Sequence, residues 1–159
     1  ENRHVSTDIR RITVKPVLTF LLLFSFFSIT AVHADERSST VKIKLSFNDK
    51  TVIIAMYDNA AAQQVIELLP ASFEFIDFAG EEKITNFSKP VALDKAPRGM
   101  VADAGKMFIY APWGNMGFFY KNHGTVMDNN LIPLGKIESG LECLATQKGG
   151  FTARMEILK

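Results

Sequence analysis

The segment 110–120, YAPWGNMGFFY, gathers the side chains best suited to holding a ligand. It carries the chain's single tryptophan, two tyrosines and two phenylalanines around the amide of Asn115. Aromatic faces supply apolar contact, while an amide and a tyrosine hydroxyl supply a few oriented hydrogen bonds, the usual lining of a concave site. Aromatic residues in such number are also core material, so the segment reads either as a packed β corner or as the wall of a site. If the Pro-Trp-Gly-Asn turn keeps register, Tyr110, Phe118 and Tyr120 fall on one face of their strands, with Phe108 extending it. Trp113 and Asn115, at the turn, are less readily accounted for as core. The candidate binding residues are therefore Tyr110, Trp113, Asn115, Phe118 and Tyr120, with Glu82 as a polar anchor from a neighbouring turn.

Other chemistry has little to work with. Residues 35–159 hold one histidine, His123, and one cysteine, Cys143. A metal centre needs several such ligands at close spacing, so no metal site is expected. His123, in a Lys-Asn-His-Gly loop, reads as a solvated turn residue. Cys143, between apolar neighbours, reads as a small core residue with nothing basic beside it in sequence to activate it. Glu81 and Glu82 are adjacent carboxylates on a turn, where such pairs usually face water. There is no GxSxG, P-loop or GxGxxG segment, and Gly149-Gly150 precedes a strand rather than a helix. No cofactor and no catalytic set are assigned.

The elements that must position these residues begin after a leader. Arg10, Arg11 and Lys15 precede an apolar run from Val17 to Val32, and Val32-His33-Ala34 supplies small residues at −3 and −1. Basic, apolar and small-residue parts in that order form a secretory signal cut after Ala34. The 16-residue run is short of the roughly 20 needed to span a bilayer. Residues 1–34 are thus expected as a signal peptide or, failing cleavage, an N-terminal anchor. The product is periplasmic or secreted. Residues 35–159 carry 14 Lys and Arg against 15 Asp and Glu, near −1, with no basic stripe. That argues against nucleic acid or a membrane surface as partner and leaves a small molecule or a peptide. A lone cysteine precludes an internal disulfide, and 125 residues can build a single core without one. The oligomeric state is left open.

Residues 35–40 read as a flexible lead-in and 41–159 as one domain. Val41, Ile43, Leu45 and Phe47 alternate with polar residues, as a half-buried strand does. Asn48-Asp-Lys makes a turn to a returning strand, Thr51–Tyr57. Asp58 or Asn59 caps a helix that Pro70 ends, with Val65, Leu68 and Leu69 on its apolar face. Ser72–Phe78 alternates again, and a turn at 80–83 leads to a short segment, Ile84–Phe87. Lys89–Lys106 reads as a long surface loop, a length that is often functional. Met107–Ala111 and Met116–Tyr120 flank the aromatic turn, and His123–Asn130 is a polar loop. Ser139 with Glu142 reads as a capping box starting a short helix. Phe151, Ala153, Met155 and Ile157 mark a last strand. Seven or eight short strands with two helices imply a mainly β rolled sheet or barrel with helices closing its ends.

The segments VKIKLSFNDKTVIIAMYDNAAAQQVIELLP, GEEKI, GKMFIYAPWGNMGFFY, LIPLGKIESGLECLA and GGFTARMEI, in that order, resemble the bacterial cyclophilin-like proteins. YAPWGN and LGKIESGLE are the most specific parts. The resemblance implies a closed eight-stranded cyclophilin-like β-barrel capped by two short helices over about 41–157. It does not carry the activity of true cyclophilins, which isomerise Xaa–Pro bonds with an Arg and a Phe in a Phe-His-Arg segment, a Gln-Gly-Gly segment, and further Trp and His residues. None of these segments is present, and Arg37, Arg98 and Arg154 are the only arginines after residue 34. The expectation is a binding domain for a small molecule or extended peptide, the alternative being a peptidyl-prolyl cis-trans isomerase lacking the usual arginine segment.

Overall fold

The computed structural model describes residues 38–159. The leader and cut site expected within 1–34 lie outside the described residues. The first strand, β1 (Ser38–Phe47), runs antiparallel to β2 (Lys50–Tyr57). It starts at Ser38, so the end of the expected lead-in already belongs to the sheet. Alternation puts Ile43, Leu45 and Phe47 inside and leaves Lys42 and Lys44 at the surface in ion pairs with Glu138 and Glu156. Asn48 and Asp49, both at positive φ, make the tight hairpin turn.

Helix α1 (Ala60–Glu67) follows, capped by Asn59, whose Oδ1 accepts from the Ala62 N–H at 3.0 Å. The Asn59 amide also donates to the Pro133 carbonyl at 2.9 Å, tying the helix to the barrel rim. Its buried face is Ala61, Ala62 and Val65 rather than Val65, Leu68 and Leu69. The helix ends at Glu67, so Leu68 falls in the cap and remains 39% exposed.

Strands β3 (Ala71–Phe78) and β4 (Glu82–Thr85) form the next hairpin. After it the chain crosses 86–99 without regular structure to a short strand, β5 (Met100–Val101). The aromatic hairpin is β6 (Lys106–Tyr110) and β7 (Asn115–Phe119), followed by β8 (Met127–Asp128) and β9 (Leu131–Ser139). Helix α2 (Leu141–Thr146) and β10 (Phe151–Ile157) complete the chain. Eight antiparallel strands close into a barrel in the order β1-β10-β3-β4-β7-β6-β9-β2, and β2 returns to β1. The fold is therefore the mainly β, closed barrel with two short helices.

Two further local expectations are corrected. The capping box does not form: Ser139 is the last residue of β9, and the cap of α2 is Gly140 at φ 84 with no side-chain hydrogen bond. A Cβ there would lie 2.4 Å from the Thr51 carbonyl oxygen, so only glycine fits that approach. The two long loops are not merely surface connections, because β5 pairs with β8 in a separate two-stranded ribbon. Strand β9, with Pro133 and Gly135 inside it, also goes unannounced by any alternation.

The chain builds two apolar clusters. The larger fills the barrel and includes Ile43, Leu45, Ile54, Phe75, Phe118 and Met155. The smaller, Ile84, Met100, Ala102, Phe108, Phe119 and Leu131, lies on the outward face of β4, β6 and β7. Strand β5 and the residues after it cover it, Met100 and Ala102 being 2% and 5% exposed. That outer cluster is the floor of the site.

Candidate functional site

The turn 111–114 decides which residues face the site. Trp113 and Gly114 donate their N–H groups to the Tyr110 carbonyl, and Gly114 sits at φ 65. This four-residue connection pairs Tyr110 with Asn115, Phe108 with Gly117 and Met107 with Phe118. Directly opposed residues share a face, so Phe108, Tyr110, Asn115, Gly117 and Phe119 point outward. Met107, Met116, Phe118 and Tyr120 belong to the barrel interior.

On the outer face a cavity of about 260 Å³ opens above the small cluster. Its floor is Ile84, Phe108 and Phe119. Phe108 and Phe119 stack at 4.3 Å, and Phe108 lies across Gly117, where a Cβ would meet its ring at 2.6 Å. The missing side chain at 117 is what lets the ring lie down. Trp113, 63% exposed, forms a wall: its indole is edge-on to Tyr110 at 5.2 Å and to Phe78 at 5.9 Å.

Polar groups stand at the margins. Asn115 is 4% exposed, and its Oδ1 is the one buried side-chain oxygen or nitrogen among the described residues with no hydrogen-bond partner. Such an atom is costly to bury unmet, and the side chain that carries it lines the cavity wall. Glu82 lies directly across from Phe119 in the β4–β7 ladder. Burial pushes its carboxyl above the ordinary value, with the charges of His123 and Glu81 acting in opposite directions. His123 stacks over Phe119 at 6.2 Å, donates its backbone N–H to the Ala102 carbonyl and pairs its ring Nδ1 with Glu81. The Glu81 hydrogen bond raises the His123 pKa against partial burial, helped by the charges of Glu81, Glu82 and Asp128. Asp128 lines the same cavity, whereas no lysine or arginine does. Among the described residues no group of His, Cys, Asp and Glu converges to hold a metal ion.

Of the residues expected at a site, Glu82, Tyr110, Trp113 and Asn115 line this one cavity. Phe118 and Tyr120 do not, because the register of the turn puts them on the opposite face from Tyr110. Phe118 is fully buried in the barrel. Tyr120 joins a polar plug at the α2 end, where its hydroxyl donates to Asp77 Oδ2 at 3.0 Å and its ring lies 4.7 Å from Lys83 Nζ. Burial first, then the Asp77 hydrogen bond and charge, push the Tyr120 phenol up to about 12. Lys83 has no exposed surface; it pairs with Asp77 and donates to the Gln147 carbonyl at 2.6 Å. Sequence reasoning missed Phe78, Phe119 and Asp128 and read His123 as solvated. Phe119 was recoverable from its alternation with Asn115 and Gly117, whereas the other three reach the cavity through pairings that no local pattern announces.

Arg98 is exposed and lies outside the cavity lining. Arg154 is on the solvent side of β10, beside Glu156 at 3.3 Å. A second cleft, of about 360 Å³, runs beside Phe73, Asn86 and Phe87.

Residues 45–156 match the model of the Cyclophilin-like family. The chain belongs to that family. A similar fold is seen in the solution structure of a hypothetical protein from Archaeoglobus fulgidus, 13% identical, with a TM-score of 0.57 over 79% of this chain and 98% of that one. At that identity the likeness concerns the fold alone. No curated protein sequence matches the chain. In this cyclophilin-like barrel, then, the cavity-lining residues stand outside the barrel wall, and its interior is filled by side chains.

Proposed function

We propose that this cyclophilin-like domain binds a small organic molecule on the outer face of its barrel, in the cavity between Trp113 and the floor of Phe108 and Phe119. The observation that carries the reading is the unmet Asn115 Oδ1, buried in the wall of an aromatic-lined cavity. Apolar walls with a few oriented polar groups are the common composition of ligand sites. The cavity volume lies just below the roughly 300–1,000 Å³ range of drug-sized sites, which favours a small molecule over an extended peptide.

Prolyl isomerisation is the weaker reading. Rotation about an imide must cross a barrier of about 20 kcal/mol, and a cation aimed at the imide nitrogen is the main aid the family fold would bring. Neither Arg98 nor Arg154 lines the cavity. The leader-like residues 10–34 support placing the domain in the periplasm or outside the cell, which fractionation with and without an Ala34→Arg change in the cut site would test.

The binding reading is tested by a fragment screen on isotope-labelled protein. Backbone shifts should cluster at Phe78, Ala102, Asn115, Phe119 and Gly124. Shifts confined to Phe73, Asn86 and Phe87 would move the site to the second cleft, and a screen without saturable shifts would refute the reading.

A further inference from the structure

The outward side of β4, β6 and β7 is ordered in rows across the strands. One row holds Glu82 and Phe119, the next Ile84, Gly117 and Phe108, and the third Asn115 and Tyr110. Asn115 and Phe119 are four residues apart on one strand, so the Glu82 row and the Asn115 row are separated by about 13 Å at ordinary strand rise. Between them the floor is apolar and flat, because Phe108 lies over Gly117 and stacks on Phe119.

The two ends differ in chemistry. At the Glu82 end, Glu82 lines the cavity, and the charge of His123 is already paired with Glu81. The Glu82 carboxyl lines the cavity with no lysine or arginine in the lining to meet it. At the Asn115 end the unmet group is an acceptor, Oδ1, in a side chain 4% exposed. Trp113 and Phe78 add π faces at the mouth, which attract a cation and repel an anion.

We infer that the ligand is an elongated organic amine: an ammonium group at Glu82, a flat apolar body across Phe108 and Phe119, and a hydrogen-bond donor at Asn115 Oδ1. This rests on the binding reading above and adds to it the sign of the ligand's charge and the direction in which it lies. An anion meets a carboxylate and π faces of the wrong sign, and a neutral apolar compound leaves Glu82 without a partner.

Four probes separate these features. Tyramine carries an ammonium, an aromatic body and a phenol donor at opposite ends. Phenethylamine lacks the donor, 4-ethylphenol lacks the ammonium, and 4-hydroxyphenylacetate replaces the ammonium by a carboxylate. Titrated into the purified protein by calorimetry, with backbone shifts as locator, tyramine should bind roughly tenfold or more tighter than 4-ethylphenol, the scale of one hydrogen bond to a charged group. Phenethylamine should fall between them, and 4-hydroxyphenylacetate should not bind. Glu82→Gln should bring tyramine down to the level of 4-ethylphenol while leaving 4-ethylphenol unchanged. Equal binding of tyramine and 4-ethylphenol, or tyramine binding untouched by Glu82→Gln, overturns the amine assignment and leaves the binding reading standing. Equal binding of phenethylamine and tyramine overturns the donor contact at Asn115. If none of the four shifts the cavity signals, the amine assignment fails, and the fragment screen decides whether the binding reading fails with it.

Discussion

Phe118 and Phe119 are neighbours in the chain and lie in two different apolar clusters, Phe118 inside the barrel and Phe119 on its outer wall under His123. One strand, β7, therefore contributes to stability through one face and to a site through the other. The two functions are separable by substitution.

Phe118→Ala is expected to cost about 3–5 kcal/mol, the range for emptying a buried aromatic position. Trp113→Ala, at a side chain 63% exposed, should stay within about 1 kcal/mol and still remove the wall of the cavity. Urea unfolding of the two variants checks the contrast. A Trp113→Ala loss as large as that of Phe118→Ala would make Trp113 a core residue.

The floor depends on Gly117. In Gly117→Ala the new Cβ needs the space of the Phe108 ring, which is held by its stack on Phe119. The ring must lift into the cavity, at about 1–3 kcal/mol for such overpacking. Ligand affinity should fall more than stability does, measurable by calorimetry and denaturation on the same preparation.

How much of this was legible beforehand varies with the element. Strands β1, β3 and β10 alternate cleanly because one face meets the barrel core and the other meets water. Strands β6 and β7 do not, since both faces are buried, one by each cluster, and periodicity then carries no information about direction. That is why Phe118 and Tyr120 were expected beside Tyr110: the face depended on the length of the turn 111–114, which composition does not specify. Strand β9 was hidden by Pro133 and Gly135. The glycine is there because a Cβ would lie 2.5 Å from the Ala55 carbonyl oxygen. Glu82, Trp113 and Asn115 stand out by residue type alone, and the fold brings them to one cavity. Asp128 and Phe78 became visible only once the chain was folded.

The polar plug predicts an asymmetry. Lys83 has no exposed surface, while its partner Asp77 keeps a third of its side-chain surface in water. Asp77→Ala strands a buried ammonium and should cost about 3–5 kcal/mol, whereas Lys83→Met removes the buried charge and should cost clearly less. Double-mutant cycles in urea measure both. Burial alone would raise the Asp77 carboxyl, but hydrogen bonds from Lys83 and Tyr120, the Lys83 charge and the Gly80 N–H together hold it below its ordinary 3.8. A carboxyl lowered on folding stabilises above its unfolded pKa and loses that contribution as pH falls through the folded value. Stability should therefore drop below about pH 4 in the wild type, and this drop should shrink in Lys83→Met.

Ligand binding should carry its own pH dependence. Burial keeps Glu82 protonated to higher pH than an ordinary glutamate, and the charged groups acting on it are His123 and Glu81. A cation binds the ionised carboxylate, so tyramine affinity should rise with pH through the raised Glu82 value. It should rise again as His123, itself raised by Glu81, gives up its positive charge. The first rise should vanish in Glu82→Gln, and calorimetry across pH 4 to 8 reads both.

The most direct measurement of the central claim is a crystal structure of the protein soaked in tyramine. Electron density lying across Phe108 and Gly117, with its amine at Glu82 and its phenol at Asn115 Oδ1, is the predicted result. Density in the cleft beside Phe73 and Phe87, with the outer cavity empty at saturating tyramine, would contradict it.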